Sequence, residues 1–298
     1  MIEVIDALGR TLRLRRGAQR IVSLVPSETE SVADLGLIGA LVGRSEYCIE
    51  PRGTIDSVPT CGGTKSIDVA RVIALRPDLV LVNQEENAKK EVERLIEAGL
   101  PVHVSFPHDV RESLAFVETL ARLLGVDSAP ALDATRAAVS RALGSASTGR
   151  ASMRSATPVR VFVPIWMDPL MTFDGHTFAS DLLELVGAEN VFADRPRRYP
   201  LAADRGAAAP LAPDRTVGRD TRYPRITLDE IVARAPELIL LPSEPHVFSE
   251  ADADVFRQLP IPAARDGRIV FADGMDLFWY GTRLATSIDR LAALVRAR

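Results

Sequence analysis

Three of the four histidines, His108, His176 and His246, and both tryptophans, Trp166 and Trp279, fall in irregular segments that follow short apolar runs. Imidazoles there offer metal ligation or proton transfer, and indoles offer broad apolar contact. Phe173, Phe248 and Tyr280 lie in the same segments, and Glu85 stands in the polar run NQEEN. His103 is different, because it sits inside the apolar run VHVSF and reads as a core or edge histidine. Glu85 and Glu86 open a helix, where a solvated cap also accounts for them. No Gly-x-Ser-x-Gly elbow, phosphate loop or His-Glu-x-x-His occurs, and CGGTK at 61–65 lacks the phosphate-loop spacing. Cys48 and Cys61 are too few for structural zinc, and their setting favours two thiols over a disulfide. These residues suit a binding site, and the expectation is a protein that is not an enzyme.

The elements that must position these groups alternate. The runs IVSLV, DLVLV and VHVSF, and later VRVFV, LILL and RIVF, are separated by helical stretches, which predicts α/β structure with parallel, doubly wound sheets. A small hairpin is expected over Asp6–Leu14, ahead of the core. Ser27 with Glu30, Asp109 with Glu112, and Thr227 with Glu230 have capping-box spacing. Open parallel sheets hold ligands beyond the carboxyl ends of their strands. Pro26–Glu28, Asn83–Asn87, His108, Trp166–His176, Ser243–Phe248 and Gly274–Thr282 all belong to that edge.

The scheme occurs twice. Ile73–Glu85 (IALRPDLVLVNQE) and Val232–Glu244 (VARAPELILLPSE) align with Pro77 on Pro236 and Glu85 on Glu244. The expected organisation is a lobe over 1–127, a connecting helix and linker over 128–157, and a second lobe over 158–298. These are two doubly wound lobes joined by a single long helix, with a ligand cleft between them. Residues 195–225 (RPRRYPLAADRGAAAPLAPDRTVGRDTRYPR) break the repeat as an aperiodic insertion beside the site. Tyr199 in that insertion is counted among the ligand contacts.

Composition narrows the class. A net charge of −4 argues against a nucleic-acid binder, and no stretch approaches the ~18 apolar residues of a membrane span. The first residues carry no basic n-region or apolar h-region, so the sequence as it stands reads as cytoplasmic, and as periplasmic if its start has been trimmed.

RIVSLVPSETE, LGLIGALVGRSEYC, GGTKSIDVARVIALRPDLVLVNQEEN, FVPIWMDPLMT and LFWYGTRL resemble the class III substrate-binding proteins of ABC importers, especially their cobalamin-binding branch. The likeness runs over about residues 18–296. It implies a non-catalytic protein that captures cobalamin or a related corrinoid by aromatic packing, with haem or an iron-siderophore as the alternative ligand. A cytosolic cobalamin-handling enzyme or chaperone is the alternative of another class. The resemblance places Tyr47 at the first-lobe corrin face, and Trp166–Phe173 and Trp279 in second-lobe contact loops. His246 and His176 are then candidate axial ligands to the metal. It also implies an ABC permease partner, docked through one acid on each lobe. One of those positions falls at Ala70, where the acid is missing, and the other at Asp229.

Overall fold

A computed structural model describes residues 1–152 and 157–297, and two compact units divide it. The first comprises Met1–Ser140 with Trp279–Ala285, and the second Arg141–Phe278 with Thr286–Arg298.

The first unit opens with strands β1 (Ile2–Ile5) and β2 (Thr11–Leu14), the expected antiparallel hairpin. Next come β3 (Ile21–Ser23), α1 (Pro26–Asp34), β4 (Leu41–Arg44), α2 (Val69–Ala74) and β5 (Leu79–Asn83). Then follow α3 (Lys89–Glu97), β6 (Val102–Ser105) and α4 (Val110–Leu124). The sheet order is β4-β3-β5-β6, all parallel. All five residues of β5 are buried, which is why it reads as a continuous apolar run rather than an alternating one. Helix α5 (Pro130–Ser152) carries the chain into the second unit, as the long connecting helix was expected to; the linker positions 153–156 lie outside the described residues.

The second unit contains β7 (Val159–Phe162), the short hairpin β8 (Trp166–Met167) and β9 (Leu170–Met171), α6 (Phe178–Leu185), β10 (Ala188–Asn190) and α7 (Leu201–Asp204). It continues with α8 (Leu228–Arg234), β11 (Leu238–Pro242), α9 (Glu250–Arg257), α10 (Pro262–Arg265), β12 (Ile269–Ala272), α11 (Gly274–Phe278) and α12 (Leu284–Arg296). Its sheet is again parallel, ordered β10-β7-β11-β12.

The internal repeat has a backbone signature. Arg76 and Ala235, which correspond in the aligned segments, are the two non-glycine residues with positive φ, at 47° and 44°, among the described residues. Both follow a helix and precede the proline that starts the next connection, so each unit turns its chain from helix to strand with the same left-handed residue.

Two expectations about elements change. Ser27 does not cap a helix: α1 starts at Pro26 with Val25 as N-cap, no side chain caps it, and Glu28 is buried instead of solvated. Trp279–Ala285, expected in the second lobe, packs in the first unit through polar contacts. Thr282 donates its hydroxyl to Asp34 Oδ2 at 2.7 Å, and Arg283 pairs with Glu30 at 2.6 Å. Cys48 and Cys61 are free, buried thiols.

Candidate functional site

In the first unit, the carboxyl ends of three strands meet in one buried polar network. Glu28 follows β3, Asn83 ends β5 and Ser105 ends β6. Tyr280 joins them, its hydroxyl donating to Glu28 Oε1 at 2.6 Å, and the Ser105 hydroxyl donates to the same oxygen. Asn83 Nδ2 donates to Tyr280 Oη at 3.0 Å and to Ser105 Oγ at 3.2 Å. Asn83 Oδ1 accepts from the amides of Glu85 and Glu86, which fixes the loop after β5. Burial pushes the Glu28 carboxyl up to about 8, although the hydrogen bonds from Ser105 and Tyr280 oppose that shift. Glu28 is therefore held largely protonated at neutral pH. Nothing in SETE distinguishes a buried acid from the solvated acid of a helix start, so the sequence reading missed it.

Gly281 lets the Tyr280 segment lie this close. Its φ is +103°, and a Cβ there would collide with the Ser31 hydroxyl. Its N–H donates to Ser113 Oγ at 2.9 Å. Gly281→Ala is expected to destabilise the first unit by about 1–3 kcal/mol, the usual cost of a strained backbone position. Urea denaturation checks this, and an unchanged midpoint would contradict it.

The remaining first-unit candidates differ in exposure and partners. Tyr47 is 57% exposed. Glu85 is half-buried, and its carbonyl accepts from Lys65 Nζ at 2.5 Å. The His108 ring meets that of Phe106 at a tilt of 60°, centroids 4.1 Å apart, with Nδ1 3.1 Å from Glu112. Trp279 is buried under the Arg283 guanidinium, 5.5 Å from its ring. Tyr280 is buried too, so it acts through its hydroxyl rather than as an exposed aromatic face.

In the second unit the candidates separate into surface and core. Trp166 is 44% exposed on β8, and its Nε1 donates to Asp168 O at 3.0 Å, which fixes the indole plane. Its ring lies 5.3 Å from that of His246, which in turn meets Phe248 edge-on at 4.7 Å. Phe173 was expected at the ligand, but at 1% exposure with an edge-on contact to Phe278 it is a core residue. Phe248 is likewise buried, in the cluster with Phe162, Ile226 and Phe256. The two candidate axial histidines differ. His246 Nε2 is buried without a hydrogen-bond partner, 3.9 Å from Asp252 Oδ2. The His176 side chain is 84% exposed, with Nδ1 3.4 Å from the buried Asp174 carboxylate. A carboxylate behind one ring nitrogen orients the other outward, which is the usual arrangement of a metal-binding imidazole.

The 195–225 insertion is ordered against this aromatic loop. Asp174 and Thr172 amides donate to the carbonyls of Arg222 and Pro224, and Ile226 N–H donates to Leu170 O. The anchor is Arg195, buried, with Nη1 3.0 Å from Asp204 and Nε 2.8 Å from Glu230. Asp204 also accepts from the amides of Arg198 and Arg225, so its carboxylate ties both ends of the insertion together. The Tyr199 ring lies under the guanidinium groups of Arg197 and Arg219, at 4.6 and 4.9 Å.

A family model described as Periplasmic binding protein matches residues 21–274. The chain belongs to the periplasmic binding protein family. Among curated relatives, the vitamin B12-binding protein of Yersinia pestis (strain Pestoides F) is 26% identical over 247 residues, covering 83% of this chain and 78% of that protein. The periplasmic vitamin B12 binding protein of Vibrio cholerae superimposes with a TM-score of 0.69 at 19% identity, covering 94% and 97% of the two chains. The periplasmic haem-binding protein of Roseiflexus sp. RS-1 gives 0.70 at 18% identity, covering 94% and 98%. This periplasmic binding protein thus shares its fold with binders of different metal complexes. No helix among the described residues is long and apolar enough to cross a membrane, and no cluster of three or more metal-ligating side chains occurs among them.

Proposed function

We propose that the chain is a non-catalytic binding protein for cobalamin or a related corrinoid, held by loops at the carboxyl ends of its strands. The carrying observation is Trp166: an indole nearly half exposed, yet fixed by its own hydrogen bond and backed by His246. An exposed, pre-oriented aromatic loses little freedom on binding a flat apolar macrocycle. Tyr47 is likewise an exposed ring, and His176, not His246, is the axial ligand this reading favours. The vitamin B12-binding relatives support the ligand class. Titration with hydroxocobalamin is expected to give saturable changes in its visible spectrum, with the ligand recovered unmodified. His176→Ala is expected to remove the axial-ligand part of that change. No spectral or calorimetric response at micromolar protein would overturn the reading, and a modified ligand would favour a cobalamin-handling enzyme instead.

Haem or an iron-siderophore is the second reading, and the insertion favours it. Arg197 and Arg219 lie over the Tyr199 ring, and Arg225, whose pKa burial lowers, has Nε and Nη1 without partners. Cations so placed suit propionates or catecholates. A Soret band on addition of haemin, with no response to hydroxocobalamin, would decide for haem. Delivery to an ABC permease is the role consistent with this family. Asp229 is exposed in the first turn of α8 for docking, whereas the corresponding Ala70 on α2 offers no charge.

A further inference from the structure

The 195–225 insertion carries eight arginines and three aspartates, with no lysine or glutamate, which gives it a net charge of +5 in a chain whose total is −4. Two of the three carboxylates are already committed. Asp204 is buried against Arg195, and Asp220 pairs with Arg222 at 2.7 Å. Arg198, Arg205, Arg215 and Arg219 are exposed and make no ion pair among the described residues.

These cations are interleaved with bare aliphatic side chains. Val217, 83% exposed, sits in a turn closed by Arg219 N–H donating to Thr216 O at 3.0 Å, with Arg215 and Arg219 two residues to either side. Leu201, 49% exposed, opens α7 between Arg198 and Arg205. Tyr199 ties the two segments together: its hydroxyl donates to Asp220 O at 2.7 Å, beside the bond from Arg197 N–H to Thr221 O at 2.6 Å. The patch is thus ordered before any partner meets it, and little ordering is left to oppose binding. Cations beside solvent-facing aliphatic groups match the boundary of an anionic bilayer, where guanidinium groups meet lipid phosphates and short apolar side chains enter the interface. Duplex nucleic acid would use the cations only, and the net negative charge on the rest of the chain would repel a long polyanion. The pair Arg195–Glu230 also puts the insertion beside Asp229, the exposed acid proposed above for docking to a permease.

We infer that the insertion is a peripheral membrane-contact surface, docking on anionic lipid through Arg198, Arg205, Arg215 and Arg219 with Leu201 and Val217 entering the interface. Such contact is independent of which metal complex the chain binds. The test is co-sedimentation of the full chain with phosphatidylcholine vesicles, with and without about one-third phosphatidylglycerol, and with no corrinoid present. Binding is expected only to the anionic vesicles, and raising the salt from about 0.05 M to about 1 M should weaken it tenfold or more as the charges are screened. Arg205→Glu with Arg215→Glu should weaken it at least about thirtyfold, since each arginine at such a surface counts for about fivefold and each glutamate adds repulsion. Leu201→Ser with Val217→Ser keeps every charge and should weaken lipid binding about tenfold, the scale of withdrawing two partly inserted aliphatic side chains. All four positions are exposed, so both double variants should keep the wild-type circular dichroism spectrum. Duplex DNA should bind more weakly than the anionic vesicles. Sedimentation with neither vesicle, equal sedimentation with both, or DNA binding that matches lipid and ignores the serine pair would each overturn the surface, whatever the hydroxocobalamin titration shows.

Discussion

Trp166→Ala is expected to weaken hydroxocobalamin binding by about thirtyfold or more while leaving the fold intact. A buried aromatic anchor in an interface is commonly worth 2 kcal/mol or more, which sets that factor. The fold should tolerate the change because the indole is 44% exposed and its Nε1 bond closes only a local turn to Asp168. The strand pairing of the β8–β9 hairpin, Trp166 with Met171 and Met167 with Leu170, runs through backbone atoms that alanine keeps. Visible titration beside far-UV circular dichroism and a thermal melt separates the two effects. Full affinity in a folded Trp166→Ala protein would remove the observation on which the proposed function stands.

The second large effect is a pH dependence of stability. Glu28 has its carboxyl raised from an ordinary value near 4.5 to about 8 by burial. The folded state therefore holds a proton that the unfolded chain gives up, so this contribution is fully present below about pH 4.5. It is lost as the pH rises, by about 1.4 kcal/mol per unit, until the folded group itself ionises near pH 8. Urea unfolding of the wild type at pH 5 and pH 8 should differ by a few kcal/mol from this group alone. Glu28→Gln keeps the carbonyl that accepts from Tyr280 and Ser105 but cannot ionise. It should cancel most of the slope and be the more stable protein at pH 8. A constant difference between variant and wild type across that range would show that Glu28 is not the buried proton carrier. Other groups also titrate near here: Glu30 is pushed up to about 7 by burial, so the comparison must be made between the two proteins and not on the wild type alone.

The parts of the site that were legible in the sequence are those whose physics is local. Trp166 stood out because a tryptophan beyond a buried strand has no nearby apolar run to cover it. Glu28 was illegible because its burial comes from Tyr280, 252 residues away along the chain. Phe173 and Trp166 belong to one aromatic loop, and no pattern in that loop says which ring faces inward. The core contact of Phe173 is with Phe278, far along the chain. The same holds for the insertion. Its proline, arginine and alanine content signals no regular element, and the Arg195–Asp204–Glu230 ion pairs that order it depend on where α8 packs.

The sequence by itself determined the α/β alternation, the parallel sheets and the internal repeat, because buried strands and the helices between them declare themselves by apolar runs, prolines and caps. The left-handed residues Arg76 and Ala235 fall where the repeat says the chain must turn. The tertiary structure decided which polar groups are dry, which aromatics remain at the surface, and to which unit Trp279–Ala285 belongs. Burial and pKa depend on neighbours brought together from distant segments, and a one-dimensional pattern carries no term for them.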